Sequence, residues 1–357
     1  MKKNIFFPLA AIFLVGCQNT NSLSPAVKYS ESRPLFGTIV RLDICSDAGE
    51  EIAVQKAFAR AWERLEDINR RMNVSNPEGD VGRVNRSYPA PVIVGADTYG
   101  LLEDSVKISQ VTGGIFDVTI YPLTELWKKA EQENRIPAKA ELLQARSSVG
   151  IKNIEFLTNN RVRLLNNQTK IDLGGIACGY AADEAGEILK GNGFKNFLVD
   201  AGGELLASGL NCQGKPWQVG IRDPFDTSKV IDVIELMNRA VSTSGSYERY
   251  YEIQERRWPR IINPITGFPE TAVMSATVIA PTATEADALS TALCVLGGQR
   301  GIAFIDSLGS KRAAFIVESF DDADGTAGGF LNFMGQKKGV TLHETAGYEL
   351  LRAKERF

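Results

Sequence analysis

The sequence predicts an α+β domain, a mixed α/β arrangement on an irregular, largely antiparallel sheet, with a cleft between two lobes. Three observations lead there. Glu51 to Met72 carries Val54, Phe58, Ala61, Leu65, Ile68 and Met72 at alternating steps of four and three, the apolar stripe of an amphipathic helix. Short apolar runs such as Phe197 to Ala201, Trp217 to Asp223 and Ser275 to Ala280 read as strands, and they do not alternate strictly with helices. The 357 residues are 44% hydrophobic, enough for a substantial core in one large domain or two intimate ones.

In chain order, Lys2 and Lys3 precede an apolar run from Ile5 to Val15, then Gly16 and Cys17. This is the pattern of a secretory signal, too short to span a membrane as a helix. It resembles a bacterial lipobox, in which Cys17 is lipidated and becomes the new N-terminus. Residues 1–17 are therefore expected to be a leader and 18–32, rich in Asn, Ser and Pro, a flexible tether. The mature chain is expected outside the cytoplasmic membrane, lipid-anchored and facing the periplasm. A domain over 33–340 follows, then a tail over 341–357.

Within the domain, Pro34 to Ile44 reads as one opening strand and polar Met72 to Asn85 as a loop. Asp97 is placed to cap a second helix running to Val111. Gly113-Gly114 makes a tight corner before Ile115-Phe116-Asp117, and the segment beyond reads as extended. Pro137 to Ser148 is a further helix, and Val162 to Ile171 a strand. Ala240 to Tyr247 is a strand entering a Ser/Gly turn, and Trp258 to Asn263 is stopped by Pro264. Thr284 is placed to cap the next helix, and Gly301 to Val317 gives a helix and a strand.

Two stretches carry chemistry. Asp172-Leu-Gly-Gly-Ile-Ala-Cys-Gly-Tyr-Ala-Ala-Asp183 is a strand end, a glycine turn and a helix start. Such a corner aims backbone N–H groups and a helix N-terminus at one point, which favours a phosphate or another anion. It is neither a P-loop nor a G-x-G-x-x-G motif. Asp287 and Thr291 stand four apart, on one helix face, and offer two hard oxygen ligands of the kind Mg²⁺ takes beside waters and phosphates. Each feature has a purely structural alternative: a turn glycine, a capping acid, a packed threonine. Phe116 and Asp117 read equally as a core aromatic and a turn acid.

Composition removes several classes. A net charge of -3 gives no electrostatic footprint for nucleic acid. A single histidine, His343, leaves no basis for a His-dependent triad or a His-rich metal site. Cys45, Cys178, Cys212 and Cys294 lack metal-finger spacing; one disulfide is possible, and the sequence does not say which.

Taken together, the motifs resemble the FAD:protein FMN transferases, the ApbE-type flavin transferases, many of them exported lipoproteins. The resemblance runs from about Leu35 to Val317. It rests on FGT at 36–38, MNVSNPEGDVGRVN at 72–85, GGIFDVTIYPLTELW at 113–127 and DLGGIACGYAAD at 172–183. It continues through DAGGELLASG at 200–209, STSGSY at 242–247, IINPITG at 261–267 and EADALSTAL at 285–293. Their order and spacing make the match specific.

The resemblance implies Mg²⁺-dependent transfer of FMN from FAD to a Thr or Ser hydroxyl of a target protein, with release of AMP. The target would be a redox-complex subunit or a flavin-binding domain. It implies metal ligation by Asp287, Thr291 and the Gly175 carbonyl. It places Phe36, Ser75, Ile115, Phe116, Asp117, Asp172, Cys178 and Ile262 at flavin-nucleotide-binding positions, in a cleft between two lobes. Four positions depart from the family pattern. Cys178 stands where Lys or another polar residue is common, Ser75 where an aromatic is common, Arg260 where a His is usual, and Asn263 where an Asp is usual. Arg260 cannot act as a base near neutral pH but can neutralise phosphate bidentately. These departures motivate two alternatives, an FAD-binding carrier or sensor without transferase activity, and an FAD pyrophosphatase.

Overall fold

The computed structural model describes residues 26–247, 249–319 and 340–353. The expected leader, with Cys17, and residues 18–25 of the expected tether lie outside the described residues.

The chain opens with β1 (Val27–Leu35), β2 (Thr38–Ser46), α1 (Glu51–Met72), α2 (Asp80–Arg86), β3 (Val92–Ile93) and α3 (Ala96–Val111). Next come α4 (Tyr121–Gln132), α5 (Lys139–Ser147), β4 (Ile154–Leu157), β5 (Arg161–Leu164), α6 (Ala177–Gly191), β6 (Phe197–Asp200) and β7 (Glu204–Ser208). Two hairpins follow around β10: β8 (Trp217–Arg222) with β9 (Val230–Leu236), β10 (Arg239–Gly245), then β11 (Tyr250–Ile253) with β12 (Arg256–Pro259). The fold closes with β13 (Val273–Ala280), α7 (Ala283–Leu296), α8 (Gly298–Ser307), β14 (Ala313–Ser319), β15 (Val340–Glu344) and α9 (Ala346–Glu349).

One sheet dominates, in the order β1-β2-β6-β7-β10-β13-β14-β15, and all its pairings are antiparallel. The expected class and sheet character are those observed. β13 is buried along its whole length because both sheet faces are covered. On one face α1, α6 and α7 bury Phe58, Leu65, Ile176, Ala185, Leu289 and Leu293 against Val40, Val199 and Val278. On the other, the β8–β9 hairpin and Tyr348 bury Trp217, Ile234 and Leu236 against Ile279, Phe315 and Val317. A third, smaller core joins α4 and α5 to the β11–β12 hairpin through Leu123, Trp127, Tyr251 and Trp258.

The differences from expectation have local causes. The single opening strand is two, because Phe36 and Gly37 both have positive φ (54° and 72°) and make a two-residue hairpin turn between Leu35 and Thr38. The tether gives way to β1 at Val27, which pairs with β2 over nine residues, while Trp62 Nε1 donates to Glu31 at 2.8 Å. The loop after Met72 contains α2, whose Val81 and Val84 are buried. Asp97 does not cap α3; Gly95 does, and Asp97 instead pairs with Arg64 at 2.7 Å and with Arg71. The segment after Gly113-Gly114 is helix α4, started by Pro122 in its first turn. α7 begins at Thr282, which accepts from the Glu285 N–H, not at Thr284. The described part of the tail, 341–353, is also structured: β15 extends the sheet, and buried Tyr348 stacks on Phe315 at 5.0 Å.

Cys45, at the end of β2, is bonded to Cys212, between β7 and β8, across 167 residues. Closing so long a loop restricts the unfolded chain strongly. The double variant Cys45→Ser/Cys212→Ser is expected to lose about 2–5 kcal/mol, read as a lower urea midpoint with a normal folded spectrum.

Candidate functional site

A cleft of about 310 Å³ opens where the main sheet's helical layer meets the small α4/β11–β12 core. Its centre is the contact between α6 and α7. Asp287 lies in the first half of α7, almost fully buried. The Gly179 N–H, in the first turn of α6, donates to its Oδ2 at 2.9 Å. The carboxylate thus sits on the positive end of α6 and takes up one of the helix's unpaired donors.

The approach requires glycine. A Cβ at Gly179 would lie 2.2 Å from the Ala283 carbonyl oxygen and 2.8 Å from the Asp287 Cβ. Asp183, one turn further along α6, fastens the same crossing. It accepts from the N–H groups of Ala283 and Thr284 at 2.8 Å and from the Thr284 hydroxyl at 2.6 Å. Asp183 therefore adds a cap to α7 from outside, beside that of Thr282.

Burial pushes the Asp287 carboxyl up to about 7; the Gly179 N–H opposes this and the Asp183 charge adds to it. One turn on, the Thr291 hydroxyl lies 3.4 Å from Ser244 Oγ, which is 2.8 Å from Ser290 Oγ, which is 3.1 Å from Ser242 Oγ. This hydroxyl ladder, buried at Ser242 and Ser290 and half-buried at Ser244 and Thr291, ties α7 to β10. Gly175, at the turn before α6, faces Thr291: a Cβ there would meet Thr291 Oγ1 at 3.2 Å and the Phe116 ring at 3.5 Å. A carboxylate, a hydroxyl and a glycine backbone thus converge, and a buried acid this costly to ionise is what a cation would complement. These hard oxygens fit Mg²⁺. Among the described residues no three His, Cys, Asp or Glu side chains form a metal cage, so water or substrate would supply the remaining ligands.

The floor is a cross-link between two loops. The Asp172 N–H donates to the Val118 carbonyl at 2.7 Å. The Asn85 side chain clamps Ile171, accepting from its N–H at 2.6 Å and donating to its carbonyl at 2.8 Å. Asp172 Oδ1 accepts from the Gly174 N–H, and Asp117 Oδ1 from the N–H and hydroxyl of Thr119. Burial raises both carboxyls.

Lys128, Arg249 and Arg260 supply positive charge to the lining. The Arg260 guanidinium lies 5.5 Å from the Tyr251 ring centre. Tyr251 is wholly buried, and among the described residues its hydroxyl has no hydrogen-bond partner. Burial raises the Cys178 thiol well above its usual range, Glu204 and Asp287 add to this, and Arg249 opposes it. Cys178 is therefore a neutral thiol and not an activated nucleophile.

The structure brings Ile115, Phe116, Asp117, Asp172, Gly175, Cys178, Arg260, Ile262, Asp287 and Thr291 into this cleft. It leaves two expected residues out of the lining. Phe36 is held at the β1–β2 turn and lines a separate shallow groove with Asn69 and Asn73. Ser75 is exposed in the turn after α1, where its N–H donates to Asn73. Thr38, two residues past Phe36, does line the cleft. Sequence reasoning missed Lys128, Arg249, Tyr251 and the capping role of Asp183. Lys128 and Asp183 border or end motifs already noticed; Arg249 and Tyr251 carried no pattern.

Comparison with known proteins places this geometry. The model of the ApbE family matches residues 36–316. The chain is 32% identical over 305 residues to the FAD:protein FMN transferase of Haemophilus influenzae, covering 82% of this chain and 86% of that protein. It is 31% identical over 303 residues to that of Salmonella typhimurium, covering 82% and 85%. Among solved structures, the ApbE protein of Thermotoga maritima superposes with a TM-score of 0.79 at 31% identity, covering 92% of this chain and 100% of that one. The flavin transferase ApbE of Vibrio cholerae superposes with a TM-score of 0.76 at 25% identity, with the same coverage.

Two glycines of α6 give contrasting expectations. Gly179→Ala must part the helices and is expected to cost about 1–3 kcal/mol. Gly191→Ala, with nothing within 4 Å of the added Cβ, is expected to leave stability unchanged or raise it by up to about 1 kcal/mol. Urea titration of the two variants measures both.

Proposed function

The chain belongs to the ApbE family, and on that premise we infer that it is an FAD:protein FMN transferase, an enzyme that moves FMN from FAD to a protein. We further propose that the accepting atom is a Thr or Ser hydroxyl oxygen of a redox-complex subunit or flavin-binding domain. That oxygen bonds to the phosphorus of the FMN half. The bond from this phosphorus to the bridging pyrophosphate oxygen breaks, AMP leaves with the electron pair, and the hydroxyl proton passes to solvent.

The observation that carries the proposal is the buried Asp287 carboxylate, held against the α6 N-terminus beside Thr291 and Gly175. Asp287, Thr291 and the Gly175 carbonyl would hold Mg²⁺. When bound, the ion would supply Lewis-acid polarisation of the phosphoryl oxygens and favour departure of AMP. Arg260, Arg249 and Lys128 neutralise phosphate charge and orient the diphosphate. Arg260 is placed to act as a bidentate clamp on phosphate. Phe116 and Ile262 offer apolar surface to the flavin nucleotide, and Asp117 and Asp172 offer acceptors to its donors.

We also propose that the mature chain works outside the cytoplasmic membrane, anchored through lipidated Cys17. The charged and apolar leader pattern supports this, as does the Cys45–Cys212 disulfide, a bond that persists in oxidising compartments. No helix of the described residues is long and apolar enough to cross a membrane.

The test mixes residues 18–357 with FAD, Mg²⁺ and a flavin-free acceptor domain, then follows in-gel flavin fluorescence and AMP. Labelled acceptor and stoichiometric AMP, both lost with EDTA, are expected, and Asp287→Asn should lower the rate by about 10³-fold or more. AMP with free FMN and no labelled protein would instead indicate a pyrophosphatase, and retained FAD without AMP a carrier.

Tyr251 gives a second prediction. Removing a buried hydroxyl that lacks a partner, as in Tyr251→Phe, should leave the ligand-free protein as stable or more stable. It should weaken FAD binding about 5- to 30-fold if that hydroxyl pairs with the nucleotide. Thermal melting and fluorescence titration with FAD read the two effects separately.

A further inference from the structure

Beside the cleft lies a second groove of about 730 Å³, on the side of the β8–β9 hairpin. Thr38, Gly202, Thr243 and Arg249 line both, so the two spaces share one wall. We propose that this groove seats the acceptor protein, whose hydroxyl-bearing segment docks as an extended strand along the open edge of β8. The inference rests on the transferase activity inferred above.

Four observations carry it. First, transfer needs two routes to one phosphorus, because the nucleotide fills the cleft while a protein hydroxyl must still arrive. A groove meeting the cleft at Thr243 and Arg249 is such a route. Second, β8 pairs only with β9 among the described residues, and Gln218, Val219, Gly220, Ile221 and Arg222 all line the groove. A strand's face would contribute alternate residues; five in succession mean that its edge is presented. An open edge is a template for a further strand, and strand addition is a recurring mode of peptide recognition. Third, Ile39 stands in this groove with 59% of its surface exposed, an apolar anchor next to the shared wall. Fourth, the charged side chains of the lining are Arg41, Arg222 and Arg249 against Asp200 alone, three positive to one negative. Arg41 already contacts Asp200 and Asp43. The guanidinium groups of this lining fit an acidic acceptor segment.

Main-chain pairing would give the segment its direction and register, and Ile39 and the arginines its preference. The reacting hydroxyl would stand at the end of the added strand nearest Thr243, Arg249 and the cleft.

The experiment uses the mature chain and, as probe, a flavin-free redox-subunit domain that the wild type labels. Ile39→Glu and Arg222→Glu alter the groove and leave the residues of the cleft in place. Each is expected to raise the KM for the acceptor by about tenfold or more, with kcat and FAD affinity within about twofold of wild type and an unchanged melting temperature. A second readout is hydrogen exchange in the presence of the same domain with its acceptor Thr replaced by Val, so that the complex accumulates. Slowed exchange over Trp217–Arg222 is expected. An unchanged acceptor KM in folded, FAD-binding variants, or protection confined to other elements, would overturn the groove while leaving the transferase intact. Absence of label by the wild type with every acceptor tried would overturn both.

Discussion

The Gly179 N–H and the Asp287 carboxylate meet at 2.9 Å, deep between two helices, and most of the site follows from that contact. α6 and α7 approach closely because position 179 has no side chain; backbone and Cβ atoms of α7 fill the place where one would be. The approach brings the positive end of α6 to a buried acid and brings Gly175 to Thr291. It also lets Asp183 cap α7, so each helix supplies the group that satisfies the other's start. The arrangement is reciprocal, as in a capping box, but spread over two elements a hundred residues apart.

The sheet and the small third core complete the cleft from either side. The hydroxyl ladder Ser242–Ser290–Ser244–Thr291 joins α7 to β10 in a region otherwise packed with aliphatic groups. Such a network is worth its burial only when every member is satisfied, and here each hydroxyl has a neighbour. It fixes the azimuth of Thr291 on the helix. Across the opening, Trp127 Nε1 donates to the Gly267 carbonyl at 2.8 Å, and Tyr251, Trp258 and Phe268 surround its ring. That aromatic block sets the β11–β12 hairpin against α4 and so places Arg260 and Ile262 over the floor built by Asp117 and Asp172.

Much of this was legible in the sequence, for physical reasons. The stripe from Val54 to Met72 marked α1 to the residue, since apolar periodicity over six turns leaves few alternatives. Asp172 to Asp183 read as a corner that gathers N–H groups, and the structure puts a helix start there. The four-residue spacing of Asp287 and Thr291 set them on one face of a helix that does form. What escaped was decided by tertiary contact. Phe36 is an unlikely residue for positive φ, so the β1–β2 turn could not be read locally. The strand at Val27 exists because β2 offers a partner, not because its polar sequence favours one. Asp97 looked like a cap and serves Arg64 and Arg71 instead, on a helix whose own sequence says nothing of α3. Tyr251 and Arg249 reach the cleft only through the hairpin's packing, and no local pattern announces that.

The charge balance of the cleft connects these pieces to the chemistry. Asp117, Asp172, Glu204 and Asp287 face Lys128, Arg249 and Arg260. Burial raises the carboxyls of Asp117, Asp172 and Asp287. The three cationic side chains beside them suit a diphosphate. Asp287 would ionise in place beside a divalent cation, on the metal role proposed above. An arginine at 260 belongs to this balance in a way a neutral imidazole would not. Its permanent charge lies over the Tyr251 ring, where the π-face lowers the cost of holding it beside a hydrophobic core. On the function proposed above, these side chains would serve as fixed electrostatics aimed at the phosphates.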